Sequence, residues 1–287
     1  MDLTETLPEK IQSSISKSQN VCHKHPHPVI MMHTPAGEFC PECARAIIEK
    51  ENNELSLNAY RMQRLRKTYG VLEERSLIPD QTLLDATFGN YESTQEEQED
   101  NKNLAIKCFQ RLMQGETMNL WLAGVPGAGK SHLAMSILRN MNEKGKSRLM
   151  RAVDESNDPE HAGYQCLFID FDDMLREIRG SYRDINKGDA EQKYVDLLSN
   201  VDYLVIDDLG AETGAIGTDK QASDFVHRIL RAISTARQDK TTIITTNLTS
   251  DQLQKMYDGK VISRFSRNIV QIVFKNTKDH RSSTLEF

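Results

Sequence analysis

Five short apolar runs punctuate the last two thirds of the chain, at residues 120–123, 166–170, 203–207, 242–246 and 269–274. Between them lie longer stretches whose apolar residues recur every three or four positions, as Leu104, Cys108 and Leu112 do over 101–114. Runs that are apolar at consecutive positions read as strands buried on both faces. Their alternation with helical stretches predicts a parallel sheet covered by helices on each side. The expected fold class is α/β, with helices over 101–114 and 132–141 on either side of the first strand. A polar stretch at 148–163 reads as an extended surface loop.

Upstream the pattern is different. Residues 1–20 carry Ser, Lys, Gln and Glu with little periodic apolar content and read as a loose tail. A histidine- and cysteine-rich stretch follows, and then Ile47, Ile48, Leu55, Leu57, Tyr60, Met62 and Leu65 suit one or two helices over 44–72. Residues 76–99 hold Pro79 and most of the acidic run 96–100, which reads as a solvated surface connection. The expected organisation is a tail over 1–20, a helical partner-binding module with a metal site over 21–72, a linker over 73–100 and the α/β domain over 101–287.

The first strand runs directly into Gly124, Val125, Pro126, Gly127, Ala128, Gly129, Lys130 and Ser131, with His132 opening the next helix. Strand, Gly-x4-Gly-Lys-Ser and helix together form a phosphate loop. The glycines let successive amides converge on a phosphate at a helix N-terminus, Lys130 reaches the β- and γ-phosphates, and the Ser131 hydroxyl ligates Mg²⁺. Two strands end in aspartate, at Asp170 and at Asp207-Asp208. If 203–207 is the third strand, the fourth ends in Asn247, a polar residue placed to sense the γ-phosphate, whereas choosing Asp170 leaves Asn247 without a role. Asp207 is therefore assigned to the Mg²⁺ site and Asp208 to polarising the attacking water. Glutamate usually holds the second role, and the shorter side chain implies slow turnover. Near the C-terminus, Arg264 in the 263–267 run and Arg281 after the fifth strand are suited to a γ-phosphate, because a guanidinium is always charged and presents a fork of donors.

Cys22-x2-His25 and Cys40-x2-Cys43 are separated by fourteen residues, 26–39. Each half puts two ligands on a tight knuckle, and three thiolates with one imidazole close a structural Zn²⁺ site. His23, His27 and His33 are rival fourth ligands. Metal would supply fold energy to a segment with little apolar material. The remaining cysteines, Cys108 and Cys166, stand in apolar surroundings, so the five together fit a reducing compartment better than disulfides. There are 36 basic and 42 acidic residues, a net charge of −6, so any nucleic-acid contact must come from a local patch. With no run of about 18 apolar residues and no secretion-type N-terminus, the expectation is a cytoplasmic protein with no membrane partner.

In series, Gly124 to Ala134, Leu204 to Glu212, Thr242 to Leu248 and Ile262-Ser-Arg-Phe265 resemble the DnaC/DnaI-like replicative helicase loaders, AAA+ ATPases close to the initiator DnaA. The resemblance covers roughly 77–287 and includes the lead-in Leu77-Ile-Pro79 and Ala86 to Tyr91. It implies ATP and Mg²⁺ at the phosphate loop, Asp207 and Asp208 as the Walker B pair, Asn247 as sensor 1, Arg264 in the arginine-finger motif and Arg281 at sensor 2. Lys260 stands where some relatives have a second arginine, so the finger is divided among Arg264, Arg267 and Lys260. With 23 residues after Arg264, no full C-terminal lid is expected, as in those loaders. The resemblance further implies a hexameric replicative helicase as partner, self-association through the AAA+ domain, and single-stranded DNA gripped at the end of the helix after strand two. There Arg179, Tyr182 and Arg183 provide a ring to stack on any base and guanidinium groups for phosphates. Rival functions are an IstB-like helper of transposition, a small-molecule kinase and a non-hydrolysing ATP-binding adaptor.

Overall fold

The computed structural model describes residues 15–155, 161–182, 189–214 and 221–277, and the chain divides into two compact units between Gln63 and Arg64. In the first unit three antiparallel strands, β1 (Ser16–Cys22), β2 (Val29–Thr34) and β3 (Gly37–Phe39), lie in the order β1-β2-β3. Residues 16–20 are thus strand, where a loose tail was expected, because Ser16 and Lys17 pair with His33 and Met32. Residues 1–14 lie outside the described residues. Helix α1 (Pro41–Lys67) is one continuous element without a buried residue, and the division between units falls near its end.

The second unit opens with the short helix α2 (Val71–Arg75) and is built on five parallel strands, β4 (Asn119–Gly124), β5 (Cys166–Asp170), β6 (Tyr203–Asp207), β7 (Thr241–Thr246) and β8 (Ile269–Phe274). They form one sheet in the order β5-β6-β7-β4-β8. Successive side chains of a strand point to opposite faces, and both faces are apolar. Leu120, Leu122, Phe168, Val205 and Ile272 pack with α3 (Glu96–Met113) and α4 (Lys130–Asp154). Trp121, Leu167, Ile169, Ile206 and Ile244 pack with α5 (Phe171–Ser181), α6 (Ala190–Asn200), α7 (Asp224–Ala236), α8 (Ser250–Met256) and α9 (Gly259–Phe265). Burial on both faces explains why the strands read as unbroken apolar runs.

Three expectations about the connections are corrected. The 73–100 segment is part of the second unit: Leu77 exchanges backbone hydrogen bonds with Phe168 and Asp170 at the free edge of β5, and Ala86, Tyr91 and Gln98 are buried. Its acidic run opens α3, where Glu97 accepts hydrogen bonds from the amides of Lys275 and Asn276 at 2.9 Å each. The helix expected over 132–141 extends to Asp154, so the first part of the expected 148–163 loop is helical; Leu149 and Val153 are buried, continuing the apolar face.

Arg237, just past α7, is 2% exposed and, among the described residues, has no carboxylate in contact. Its guanidinium donates to the carbonyls of Leu198, Val201, Asp202 and Thr241 and to the Thr242 hydroxyl, and burial lowers its pKa to about 9. It therefore joins the C-terminal end of α6, where carbonyls carry partial negative charge, to the start of β7. Arg237→Met should cost about 3 kcal/mol or more in chemical denaturation, since several buried acceptors lose their donor at once. A loss under about 1 kcal/mol would show that water replaces the guanidinium.

Candidate functional site

The carboxyl ends of β4, β7 and β6 lie side by side because these strands are sequential neighbours in the sheet, the usual place for a ligand in an open parallel sheet. The phosphate loop leaves β4 with Gly124 at φ 147°, where a Cβ would meet the Phe274 carbonyl oxygen at 2.3 Å. Gly129, at φ 90°, packs against Tyr91, and a Cβ there would lie 2.7 Å from the ring. Alanine fits at neither position, which gives these two glycines a steric reason beyond backbone freedom.

Lys130 Nζ donates to the loop carbonyls of Gly124 (3.0 Å) and Val125 (2.7 Å) and to Asn247 Oδ1 at 2.8 Å. Asn247 in turn donates from Nδ2 to Asp208 Oδ1 at 3.2 Å. Ser131 Oγ donates to Asp207 Oδ1 at 2.8 Å, and Thr245 Oγ1 donates to the same oxygen at 2.5 Å. Asp208 takes a left-handed backbone, φ 52°, with its amide bound to Thr245 Oγ1 at 2.9 Å. The structure thus brings together Lys130, Ser131, Asp207, Asp208 and Asn247 around a cleft of about 560 Å³. Asp170 lines the same cleft but caps α5 by accepting the Asp173 amide at 2.8 Å, so Asp207 is the carboxylate joined to the loop serine.

The opposite wall comes from residues 79–92, including Asp80, Asn90 and Tyr91, which the motif analysis did not name as site residues. His132, expected at the nucleotide, has its Nε2 engaged by the Thr87 carbonyl (2.9 Å) and Asn90 Oδ1 (3.1 Å), which fastens that wall to α4. Thr245 was also missed, although threonines inside an otherwise apolar strand are a legible signal for a polar strand end. Arg264 lies on α9, half-buried and outside the cleft, with its Nη1 buried and, among the described residues, without a hydrogen-bond partner. Exposed Lys260 opens the same helix, and Arg267 follows it in an exposed turn. The α9 end is fixed to the central strand by Trp121 Nε1, which donates to the Phe265 carbonyl at 3.1 Å. Arg281 and Arg183 lie outside the described residues. Tyr182 is 60% exposed, and Arg179 lies 5.3 Å from the Phe225 ring centroid.

In the first unit Cys22, His25, Cys40 and Cys43 place their ligand atoms within 4.8 Å of one another. His25 Nε2 is 3.2 Å from both the Cys40 and Cys43 sulfurs, and Cys22 Sγ is 3.9 Å from Cys43 Sγ. Cys22 ends β1, His25 sits in the following turn, and Cys40 and Cys43 flank the start of α1. The hairpin therefore folds the two knuckles together, and among the rival histidines it is His25 that joins the thiols. Such a donor set suits a closed Zn²⁺ site. Glu42 Oε2 lies 3.2 Å from His25 Nδ1, a contact sequence analysis missed; a carboxylate there fixes the tautomer that points Nε2 at a metal.

With the geometry established, comparison with known proteins identifies the relationship. The IstB-like ATP binding protein family matches residues 61–265. The chain belongs to that family. The Replicative helicase loader DnaC of Escherichia coli K12 is 27% identical over 240 residues, 83% of this chain and 80% of that protein. Uncharacterized protein YdaV of the same strain is 24% identical over 182 residues, covering 63% of this chain and 62% of its own length. Among solved structures, the DnaC helicase loader matches with a TM-score of 0.47 at 22% identity over 68% of this chain and 99% of that one, and DnaI with 0.43 at 20% over 71% and 95%. The α/β core of this chain carries the expected five parallel strands, and the phosphate loop lies where an ATP-binding family requires it. Among the described residues no helix is long and apolar enough to cross a membrane.

Two outcomes follow from the site. Asp207 is 6% exposed, and burial raises its pKa from 3.8 to about 6. Because the folded pKa lies above the unfolded one, the contribution of this group favours the fold below about pH 4 and is lost as pH rises through about 6. Without nucleotide or Mg²⁺, Asp207→Asn should stabilise the protein at pH 7.5 by on the order of 2 kcal/mol, and the gain should vanish near pH 4. Thermal melts that show a loss at both pH values would refute this. Glu42→Ala should weaken Zn²⁺ binding about tenfold or more in a chelator competition while leaving the stoichiometry at one ion; unchanged affinity would reduce Glu42 to a surface contact.

Proposed function

We propose that this protein is an ATP-dependent loader that places a hexameric replicative helicase on single-stranded DNA. The observation that carries the reading is that similarity to the curated loader spans 83% of this chain and 80% of the relative, well beyond a phosphate-loop motif. Bound Mg²⁺ and ATP would supply the phosphoryl group and its leaving oxygen. Lys130 would exchange the Gly124 and Val125 carbonyls for phosphate oxygens, and Ser131 with Asp207 would hold the metal. Asp208, whose Oδ1 accepts from Asn247 Nδ2, would orient the attacking water.

Arg264, carrying a buried donor with no partner among the described residues and lying outside its own cleft, would serve the site of a neighbouring copy, so hydrolysis would depend on self-association. Arg179 and Tyr182 would grip the strand. The zinc module and the exposed apolar face of α1 would hold the helicase; Ile48, Leu55 and Met62 recur every seven residues and are each more than half exposed. Such a protein works in the cytoplasm. The family description also favours a second reading, an IstB-like helper of transposition acting on duplex DNA.

Light scattering of the protein with its host's replicative helicase and ATP should give a large complex that is lost when residues 1–63 are removed and when Lys130 is replaced by alanine. No complex, but ATP-dependent assembly on duplex DNA, would favour the transposition helper instead. Turnover should stay well below about 10 s⁻¹, an ordinary enzyme rate, and Asp208→Glu should raise it; a faster wild-type enzyme would contradict the role given to the short carboxylate.

A further inference from the structure

The exposed Tyr182 is one part of a larger cluster that joins three helices. Its ring meets Phe225 of α7 edge to face, with centroids 6.4 Å apart and planes at 71°. Two guanidinium groups flank Phe225, Arg179 at 5.3 Å and Arg228 at 5.7 Å from its centroid. At the middle stands one carboxylate. Glu191, near the start of α6, accepts both prongs of the Arg228 fork, Nε on Oε1 and Nη2 on Oε2 at 2.8 Å each, and the Tyr182 hydroxyl donates to Oε2 as well. Arg228 keeps its carboxylate below the usual range, with the tyrosine assisting. Among the described residues Arg179 has no carboxylate partner.

A bidentate guanidinium and a hydroxyl converging on one pair of oxygens is the donor set that receives a phosphodiester, and two rings beside it offer faces for bases. We propose that Arg228 and the Tyr182 hydroxyl form a phosphate seat for single-stranded nucleic acid, with Phe225 and Tyr182 as its base platform, and that Glu191 occupies the seat until a strand displaces it. This rests on the strand-binding part of the proposed function and adds to it a second helix and an internal competitor. The exchange is feasible because the pair is exposed on the cation side: the Arg228 side chain is 61% accessible against 20% for Glu191. Exposed pairs of this kind hold weakly and are screened by salt. A phosphate entering the seat gains the same donors while Glu191 turns to water, so the cost of clearing the seat is small. The carboxylate also opposes the approach of any polyanion that cannot use the rings, which favours flexible single strands with accessible bases over duplex.

The test is fluorescence anisotropy of a labelled oligo(dT) strand with full-length protein and ATP at low salt, for the wild type, Glu191→Gln, Arg228→Gln, the double variant, and Glu116→Gln as a control for bulk charge. Glu116 pairs with Arg111 beyond the end of α3. Each variant is checked by thermal melting. Glu191→Gln should bind about fivefold tighter, the upper worth of an exposed pair. Arg228→Gln should bind more weakly, and the double variant should gain nothing over Arg228→Gln. Wild-type binding that Glu191→Gln leaves unchanged, or a gain of equal size in Glu116→Gln, overturns the seat while the strand-binding reading stands. Absence of strand binding in every folded variant overturns both.

Discussion

The register of three parallel strands is the constraint on which the nucleotide site depends. β4 lies between β7 and β8, and β7 lies between β6 and β4, so the last residues of β6, β7 and β4 form one row. Ala123 pairs with Thr246 and Ile206 with Ile244, which puts Asn247 beside the phosphate loop and Thr245 beside Asp207. A slip of one residue between β6 and β7 would turn Thr245 and Asp207 to opposite faces and break the hydrogen bond from Thr245 to the carboxylate that also accepts from Ser131. The apolar packing on each face of the sheet holds that register. Core and site are therefore coupled, and the hydrogen bonds of the cleft read out a geometry that burial has already set.

Among the buried charges of this domain, Arg237 and Asp207 are handled in opposite ways. Arg237 is given a complete set of neutral acceptors and ties elements together, so its cost is met inside the fold. Asp207 is given two hydroxyl donors, Ser131 and Thr245, and no ion pair among the described residues, so burial leaves its pKa raised. A carboxylate left short of positive charge at the end of a strand is poised for a cation from outside. Lys130, in the same cleft, donates to the loop carbonyls and to Asn247. Preorganisation here consists of one unmet electrostatic demand in the same cleft as a lysine that donates to the loop carbonyls.

Much of this was legible in the sequence. The five strands appear as apolar runs because both faces are covered, and the loop, Asp207, Asp208 and Asn247 follow from where those runs end. The spacing of Cys22, His25, Cys40 and Cys43 foretold their convergence but left His23, His27 and His33 as rivals; only the hairpin geometry separates them. The segment 73–100 misled for a physical reason. It has no strand or long helix of its own before Glu96, and its stability comes from single docked residues: Leu77 on an edge strand, Tyr91 on the loop. Such contacts have no period. Glu42, Phe225, Glu191 and Arg228 were invisible for a related reason, since each matters through a partner distant in sequence or on another element.

The two carboxylates that matter most differ mainly in their surroundings. Glu191 is met by a full guanidinium fork in a setting open to solvent, so the attraction is screened and another anion can replace it. Asp207 is met by neutral donors where solvent is excluded, so its charge is costly and answers only to a cation or a proton. Exchange of anions at an exposed fork and recruitment of a cation at a buried acid need no movement of the sheet. The rigid register that fixes the cleft is therefore compatible with a surface that changes partners, because the two sites respond to charges of opposite sign through different elements of the same fold.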